Sequence, residues 1–363
     1  MNISIVCYRF YPEESPRAFR ATELALELAR KGHRVTVFAS EHEDKEKRDR
    51  FTDENHIDFH SFTAVEQKNA VKTGLFLSHV KSLNARMMHY FFNYPESKLK
   101  GVICRQVRIP EDTDLIISIA VPHAIHDAVA SLERPPHAIW VADCGDPFMF
   151  RGKGPHPWYF KNMEKRWCRA CHYISVPFEG ARQAYYPEFE SKIHVIPQGF
   201  NMEELVLPKY KKTDVPTFIY AGVFYNGFRD PRPLLEALCR CTEDFRFLIY
   251  SANADKFTAP FRQRLGERLV CCKPIPRRDL LPLLCQADFL INFDNNNTVQ
   301  LPSKLIDYSI SGRPVLNVRK DFDIQLIQDF LHGDYSRRMQ LPDVSFFDIR
   351  NVAEAFLRLA GEN

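Results

Sequence analysis

Residues 301–318 read Leu-Pro-Ser-Lys-Leu-Ile-Asp-Tyr-Ser-Ile-Ser-Gly-Arg-Pro-Val-Leu-Asn-Val, and few folds suit that order. Pro302 and Ser303 fit the opening of a helix, where a fixed φ is harmless and a hydroxyl caps free backbone N–H groups. Gly312 ends the helix, and the apolar run 314–318 reads as a buried strand. Helix, glycine turn and strand together are half of a βαβ repeat. Ser303, Lys304 and Asp307 are three and four residues apart and share one face, while Leu305, Ile306 and Ile310 turn toward a sheet. A helix start carrying a lysine is a place for phosphate. A carboxylate one turn deeper can accept two hydrogen bonds from a sugar diol. The same residues also suit a capped surface helix on which Lys304 and Asp307 merely pair.

The alternation recurs along the chain. Residues 2–7 form an apolar run, 18–31 a helical stripe closed by Gly32, and 34–40 a second strand, a βαβ unit whose handedness rule implies parallel pairing. Further strands are expected at 114–120, 138–142, 172–176 and 192–197. Past Gly199 the pattern restarts, with strands at 217–222, 245–251, 268–272, 288–293 and 314–318 and helices such as 231–239 and 277–286. With 363 residues available, the expectation is an α/β protein of two doubly wound Rossmann-like domains. The expected bounds are 1–204 and 205–345, followed by a C-terminal helix at 346–363 packing back toward the first domain.

Composition narrows the function classes. Hydrophobic residues at 45%, charged residues at 26% and a formal charge of +3 are globular values that give no argument for a nucleic-acid partner. From Met1 the chain reaches Arg9 with neither a signal peptide's charged start nor a spanning apolar run, so a cytoplasmic protein is expected. Ten irregularly spaced cysteines fit buried thiols in a reducing compartment better than disulfides. Cys168-Arg-Ala-Cys-His has the spacing of a haem attachment site, but it lies in a helix-to-strand passage where buried thiols fit better. Asp321-Phe-Asp precedes a helix, where Asp is the expected cap, so no metal is expected. No Gly-x-Gly-x-x-Gly follows an early strand, which weighs against a dinucleotide oxidoreductase.

Several markers in order resemble the nucleotide-sugar glycosyltransferases of the GT-B fold, in particular the retaining group that builds bacterial surface polysaccharides. They are Glu23-Leu-Ala-Leu-Glu-Leu-Ala-Arg-Lys-Gly-His-Arg-Val-Thr-Val, then Asp114-Leu-Ile-Ile-Ser-Ile-Ala-Val-Pro-His. Ala142-Asp-Cys-Gly-Asp-Pro, Ile196-Pro-Gln-Gly-Phe-Asn and Tyr220-Ala-Gly follow. Arg229-Asp-Pro-Arg-Pro-Leu-Leu-Glu-Ala-Leu and Pro302-Ser-Lys-Leu-Ile-Asp-Tyr complete the series. Single motifs of this kind are common in open α/β sheets, whereas their order and spacing together are more specific.

The resemblance implies two sheets facing a cleft, a retaining and metal-independent sugar transfer, and no cofactor beyond the nucleotide-sugar donor, which is a substrate. It places the donor on the second domain, with Gly222, Val223, Ser303, Lys304, Asp307 and Asn297 around it and Arg229 with Lys304 on the diphosphate. His123 is implied near the reacting centre, although a lone histidine after a strand is commonly structural. The acceptor, a glycan or a lipid-linked glycan, would lie near Arg17, Arg20, Asp143 and Asp146, though these residues also suit helix-surface charges and turn caps. Two departures matter. Val223 stands where the family often has Arg, and Val299 where it often has a Glu that touches the donor sugar. They leave open a binding subunit without turnover, and a nucleotide-sugar epimerase of the same fold is the other alternative.

One stretch points elsewhere. Residues 81–108 interleave Met87, Met88, Tyr90, Phe91, Phe92 and Tyr94 with Arg86, Lys98, Lys100, Arg105 and Arg108. Such a segment is either a core helix followed by a basic loop or a peripheral contact with an anionic membrane surface.

Overall fold

The computed structural model describes the chain except residues 64–86, 89, 92, 94, 151–155, 204, 206, 228, 295–303, 320, 321, 362 and 363. The chain forms two compact units, Met1–Met202 with Phe347–Asn363, and Glu203–Phe346.

The first unit is built on seven parallel strands: β1 (Asn2–Cys7), β2 (Arg34–Ser40), β3 (Ile57–Phe62), β4 (Leu115–Ala120), β5 (Ile139–Cys144), β6 (Tyr173–Val176) and β7 (Ile193–Val195). Their spatial order is β3-β2-β1-β4-β5-β6-β7. All six residues of β4, Leu-Ile-Ile-Ser-Ile-Ala, are buried, because a central parallel strand is covered on both faces and so reads as a continuous apolar run. On one face lie the Pro16–Arg30 helix and the C-terminal helix Ile349–Gly361, where Leu24, Leu28, Val352 and Phe356 share a core with Ile3, Ile5 and Ile117. On the other face Trp140, Trp167, Ile125 and Ile103 pack with Val6 and Ile116. The first helix begins two residues earlier than the stripe suggests. Pro16 holds its first position, and the Ser15 hydroxyl accepts a hydrogen bond from the Ala18 N–H at 3.3 Å.

The second unit repeats the plan with β8 (Thr217–Ala221), β9 (Arg246–Tyr250), β10 (Leu269–Cys272), β11 (Phe289–Phe293) and β12 (Val315–Val318), ordered β10-β9-β8-β11-β12. A cluster of Phe218, Phe247, Phe289 and Phe330 fills its core. Both sheets are doubly wound and Rossmann-like, as expected. In each, the strand order reverses once, between β1 and β4 and between β8 and β11. Ligands of such sheets bind beyond the carboxyl ends of the strands at that reversal.

Strand β3 is absent from the sequence reading. It is an edge strand, and only Ile57 and Phe62 of its six residues are buried, so it carries no clear alternation. All ten cysteines are free. Cys168 and Cys171 are buried, and burial pushes both thiols well above their ordinary pKa.

Candidate functional site

In the second unit the chain leaves β8 at Gly222, whose φ is 144°. A Cβ there would also stand 3.1 Å from the Tyr220 hydroxyl, so glycine alone sits without strain. The loop that follows, including Val223, is braced. The Gly222 N–H donates to the Tyr250 carbonyl at 3.0 Å, and the Tyr220 hydroxyl donates to the Val223 carbonyl at 3.1 Å. Asn253 accepts from the Phe224 N–H at 3.1 Å and donates to its carbonyl at 2.9 Å.

Lys304 opens the Lys304–Ser311 helix after β11. Its ammonium lies 4.6 Å from the centre of the Tyr220 ring and is buried with no hydrogen-bond partner among the described residues. Arg229 has a buried Nε without a partner among the described residues and a φ of 51°, while its N–H reaches the Asp294 carbonyl beyond β11 at 3.4 Å. Burial pushes the Lys304 pKa far below its ordinary value. The Arg229 charge pushes the same way, and Asp294 opposes both. Unsatisfied buried donors and a strained non-glycine residue are rare and cluster where a ligand completes the structure. Here they surround the β8/β11 reversal, and both donors, the Lys304 ammonium and the Arg229 Nε, belong to cationic side chains.

One turn along the same helix, Asp307 does not pair with Lys304 as the surface-helix alternative had it. The Arg277 Nε donates to its Oδ1 at 2.7 Å, bringing the start of the Arg277–Gln286 helix to the site. Burial raises the Asp307 pKa and Arg277 pulls it partly back. Beneath them, the Tyr308 hydroxyl donates to the Ile291 carbonyl at 2.9 Å and accepts from the Ala221 N–H at 3.4 Å, tying β8 to β11. Sequence reasoning missed Arg277, Tyr220 and Tyr308. Ser303, Asn297 and Val299 lie outside the described residues.

In the first unit His123 follows β4, and Gly145 and Asp146 follow β5. The buried His123 ring hydrogen-bonds the backbone of Asp146, while its Nδ1 has no partner among the described residues. Burial, then the neighbouring His126 and His156, drive its pKa well below the ordinary value, which favours the neutral imidazole, whose free nitrogen can accept a hydroxyl hydrogen bond. Arg17 joins this group, because a Cβ on Gly145 would lie 1.7 Å from the Arg17 Nη2. The glycine makes room for the guanidinium.

Arg20 and Asp143, expected beside the acceptor, instead bind each other. Both are 3% exposed. Arg20 Nε donates to Asp143 Oδ2 at 3.0 Å and Nη2 to Oδ1 at 2.8 Å. Arg20 also donates to the carbonyls of Ile196, at 3.3 Å, and Pro197. The Ser175 hydroxyl donates to Asp143 at 2.6 Å. Burial pushes the Asp143 carboxyl up, but the Arg20 charge and the hydrogen bonds from Arg20 and Ser175 outweigh it and hold it below the usual range. The pair clamps β5, β6 and the chain after β7 to the first helix.

No protein-family model and no curated protein matches the sequence. Solved structures do. The apo lipopolysaccharide outer core galactosyltransferase WaaB aligns at 12% identity over 98% of this chain and 99% of its own, with a TM-score of 0.55. TarM aligns at 8% identity over 99% of each chain, with a TM-score of 0.57. The UDP-GlcNAc 2-epimerase from Neisseria meningitidis bound to UDP-GlcNAc aligns at 12% identity over 99% of this chain and 100% of its own, with a TM-score of 0.56. Identities this low speak to the fold alone. The chain therefore has the GT-B architecture of two Rossmann-like domains, which the galactosyltransferase WaaB, TarM and this epimerase share.

Proposed function

We propose that the protein is a retaining, metal-independent glycosyltransferase that moves a sugar from a nucleoside diphosphate donor to a glycan or lipid-linked acceptor in surface-polysaccharide synthesis. The observation that carries this reading is the buried, unpartnered ammonium of Lys304 beside Arg229 at the β8/β11 reversal. Fixed positive charge in a low-dielectric site stabilises a leaving diphosphate without reorganisation. Lys304 and Arg229 hold the diphosphate, and Asp307, oriented by Arg277, accepts the ribose hydroxyls. The acceptor binds on the first unit, where neutral His123 receives a hydroxyl hydrogen bond. Support for the sugar-nucleotide part comes from the fold shared with WaaB, TarM and an epimerase bound to UDP-GlcNAc.

That last likeness also favours a second reading, a nucleotide-sugar epimerase. Incubation with UDP- and GDP-sugars, followed by NMR of the sugar, separates the two. A transferase releases free sugar and nucleoside diphosphate slowly in the absence of acceptor, and an epimerase returns an isomeric donor with the diphosphate bond intact. Release unchanged in EDTA is the expected result. Loss of release in EDTA, restored by magnesium or manganese, would reverse the metal-independent assignment.

We place the protein in the cytoplasm, peripheral on the inner membrane face. Among the described residues no helix is long and apolar enough to cross a membrane. Within 81–108, Leu99, Val102 and Ile103 of the Glu96–Gln106 helix are core, whereas Phe91 is 60% exposed. Trp158, 71% exposed, stands next to Tyr159, whose hydroxyl donates to the Tyr90 carbonyl. Lys100 is tied to Asp127 at 3.0 Å, so the rings rather than this lysine would meet lipid. Wild type should co-sediment with anionic vesicles at low salt, and a Phe91→Ser, Trp158→Ser variant should lose about tenfold in partitioning. Wild type remaining in the supernatant would end the membrane assignment.

A further inference from the structure

The first unit contains a cavity of about 440 Å³ beyond the end of β4, between the Glu96–Gln106, Ala124–Val129 and Lys161–Ala170 helices. Its size is that of a pocket for a small organic ligand. Two of its walls carry buried polar atoms that lack a hydrogen-bond partner among the described residues: the Asn93 side-chain amide nitrogen and His123 Nδ1, on residues 2% and 7% exposed. The amide nitrogen offers hydrogens and the neutral imidazole offers a lone pair. Phe148, Met163 and Trp167 supply an apolar lining.

The charges on the wall cancel. Asp127 is held by Lys100 at 3.0 Å and by Arg166, and Glu96 accepts from the Ala124 N–H at 2.9 Å. A phosphate entering here would find both cations already joined to Asp127. An alkyl chain would cover the apolar lining but leave Asn93 and His123 unsatisfied. A pyranose answers every feature, with a C–H face for the rings, a hydroxyl to donate to His123 and an oxygen to accept from Asn93.

We propose that this cavity is a subsite for an uncharged sugar residue of the acceptor. The inference rests on the glycosyltransferase reading and adds the chemistry that the acceptor side selects: neutral hydroxylated rings over phosphate and over aliphatic chains.

The test is saturation-transfer NMR with methyl glycosides of glucose, galactose, mannose and N-acetylglucosamine, against glucose 1-phosphate and hexanol. Two variants accompany wild type, each checked for fold by circular dichroism. Asn93→Gly removes the amide yet keeps the backbone, whose φ is 50°, and Asn162→Trp fills the mouth. At least one methyl glycoside should bind wild type, about tenfold more weakly to Asn93→Gly and not detectably to Asn162→Trp. Nucleoside diphosphate affinity should be the same in all three proteins. No glycoside binding to wild type, glycoside binding to both variants equal to that of wild type, or tighter binding of glucose 1-phosphate or hexanol that Asn162→Trp abolishes would overturn the subsite. The diphosphate titration keeps the two claims apart. Nucleotide binding without glycoside binding removes the subsite and leaves the donor reading, and glycoside binding without nucleotide binding does the reverse.

Discussion

Lys304→Met is expected to make the free protein more stable and its complex with a nucleoside diphosphate far weaker. In the free protein the ammonium is buried over the Tyr220 ring with no hydrogen-bond partner among the described residues. An apolar side chain of similar length removes that desolvation cost, a gain on the order of 1–3 kcal/mol. In the complex, losing one member of a buried charge pair costs about 2–5 kcal/mol, roughly 30- to 5,000-fold in affinity. A surface lysine would give neither effect.

The pH dependence follows from the same burial. The folded Lys304 pKa lies below its unfolded value, so between the two the unfolded chain binds more protons and the free protein gains stability as pH rises. A bound diphosphate draws the pKa back up. Within that window binding takes up a proton, and affinity falls as pH rises. Lys304→Met should abolish both trends, as read by thermal unfolding and by calorimetry across pH.

The second large effect is structural. Asp143→Ala should destabilise the protein by about 3–5 kcal/mol, because it leaves the Arg20 guanidinium charged and buried. Replacing both partners, Arg20→Met with Asp143→Leu, should cost less than the single change. The stability that Asp143 contributes is present above the unfolded carboxyl pKa and is lost as pH falls toward the lowered folded value. Urea denaturation measures both. A change under about 1 kcal/mol in Asp143→Ala would mean that water reaches the pair, restoring the acceptor-side role.

That pair marks the limit of what the sequence could tell. Arg20 and Asp143 are polar residues at the ends of a helix start and a strand, where a ligand contact and an internal clamp look alike. They are 123 positions apart, and nothing local links them. Arg277 was invisible for the same reason, since its bond to Asp307 spans 30 positions and exists only because two helices pack. Lys304 was proposed from the helix start it opens, and Gly222 and Arg229 only from the resemblance in motif order, since no local signal marks either residue. The central strands were read because burial makes them continuous and apolar, and β3, polar and at the edge, was not. The aromatic stretch divided: Leu99, Val102 and Ile103 obey helical core spacing, while Phe91 faces solvent, which spacing alone does not distinguish.

The measurement closest to the central claim is calorimetric titration of UDP and GDP into wild type and Lys304→Met, in two buffers of different ionisation enthalpy. The result expected is binding of one of the two nucleotides to wild type, with net proton uptake that appears as pH rises through the lowered Lys304 pKa, and binding at least about 30-fold weaker without that uptake in the variant. Contradiction would be neither nucleotide binding wild type at millimolar concentration, or the variant binding with the same affinity and the same proton uptake.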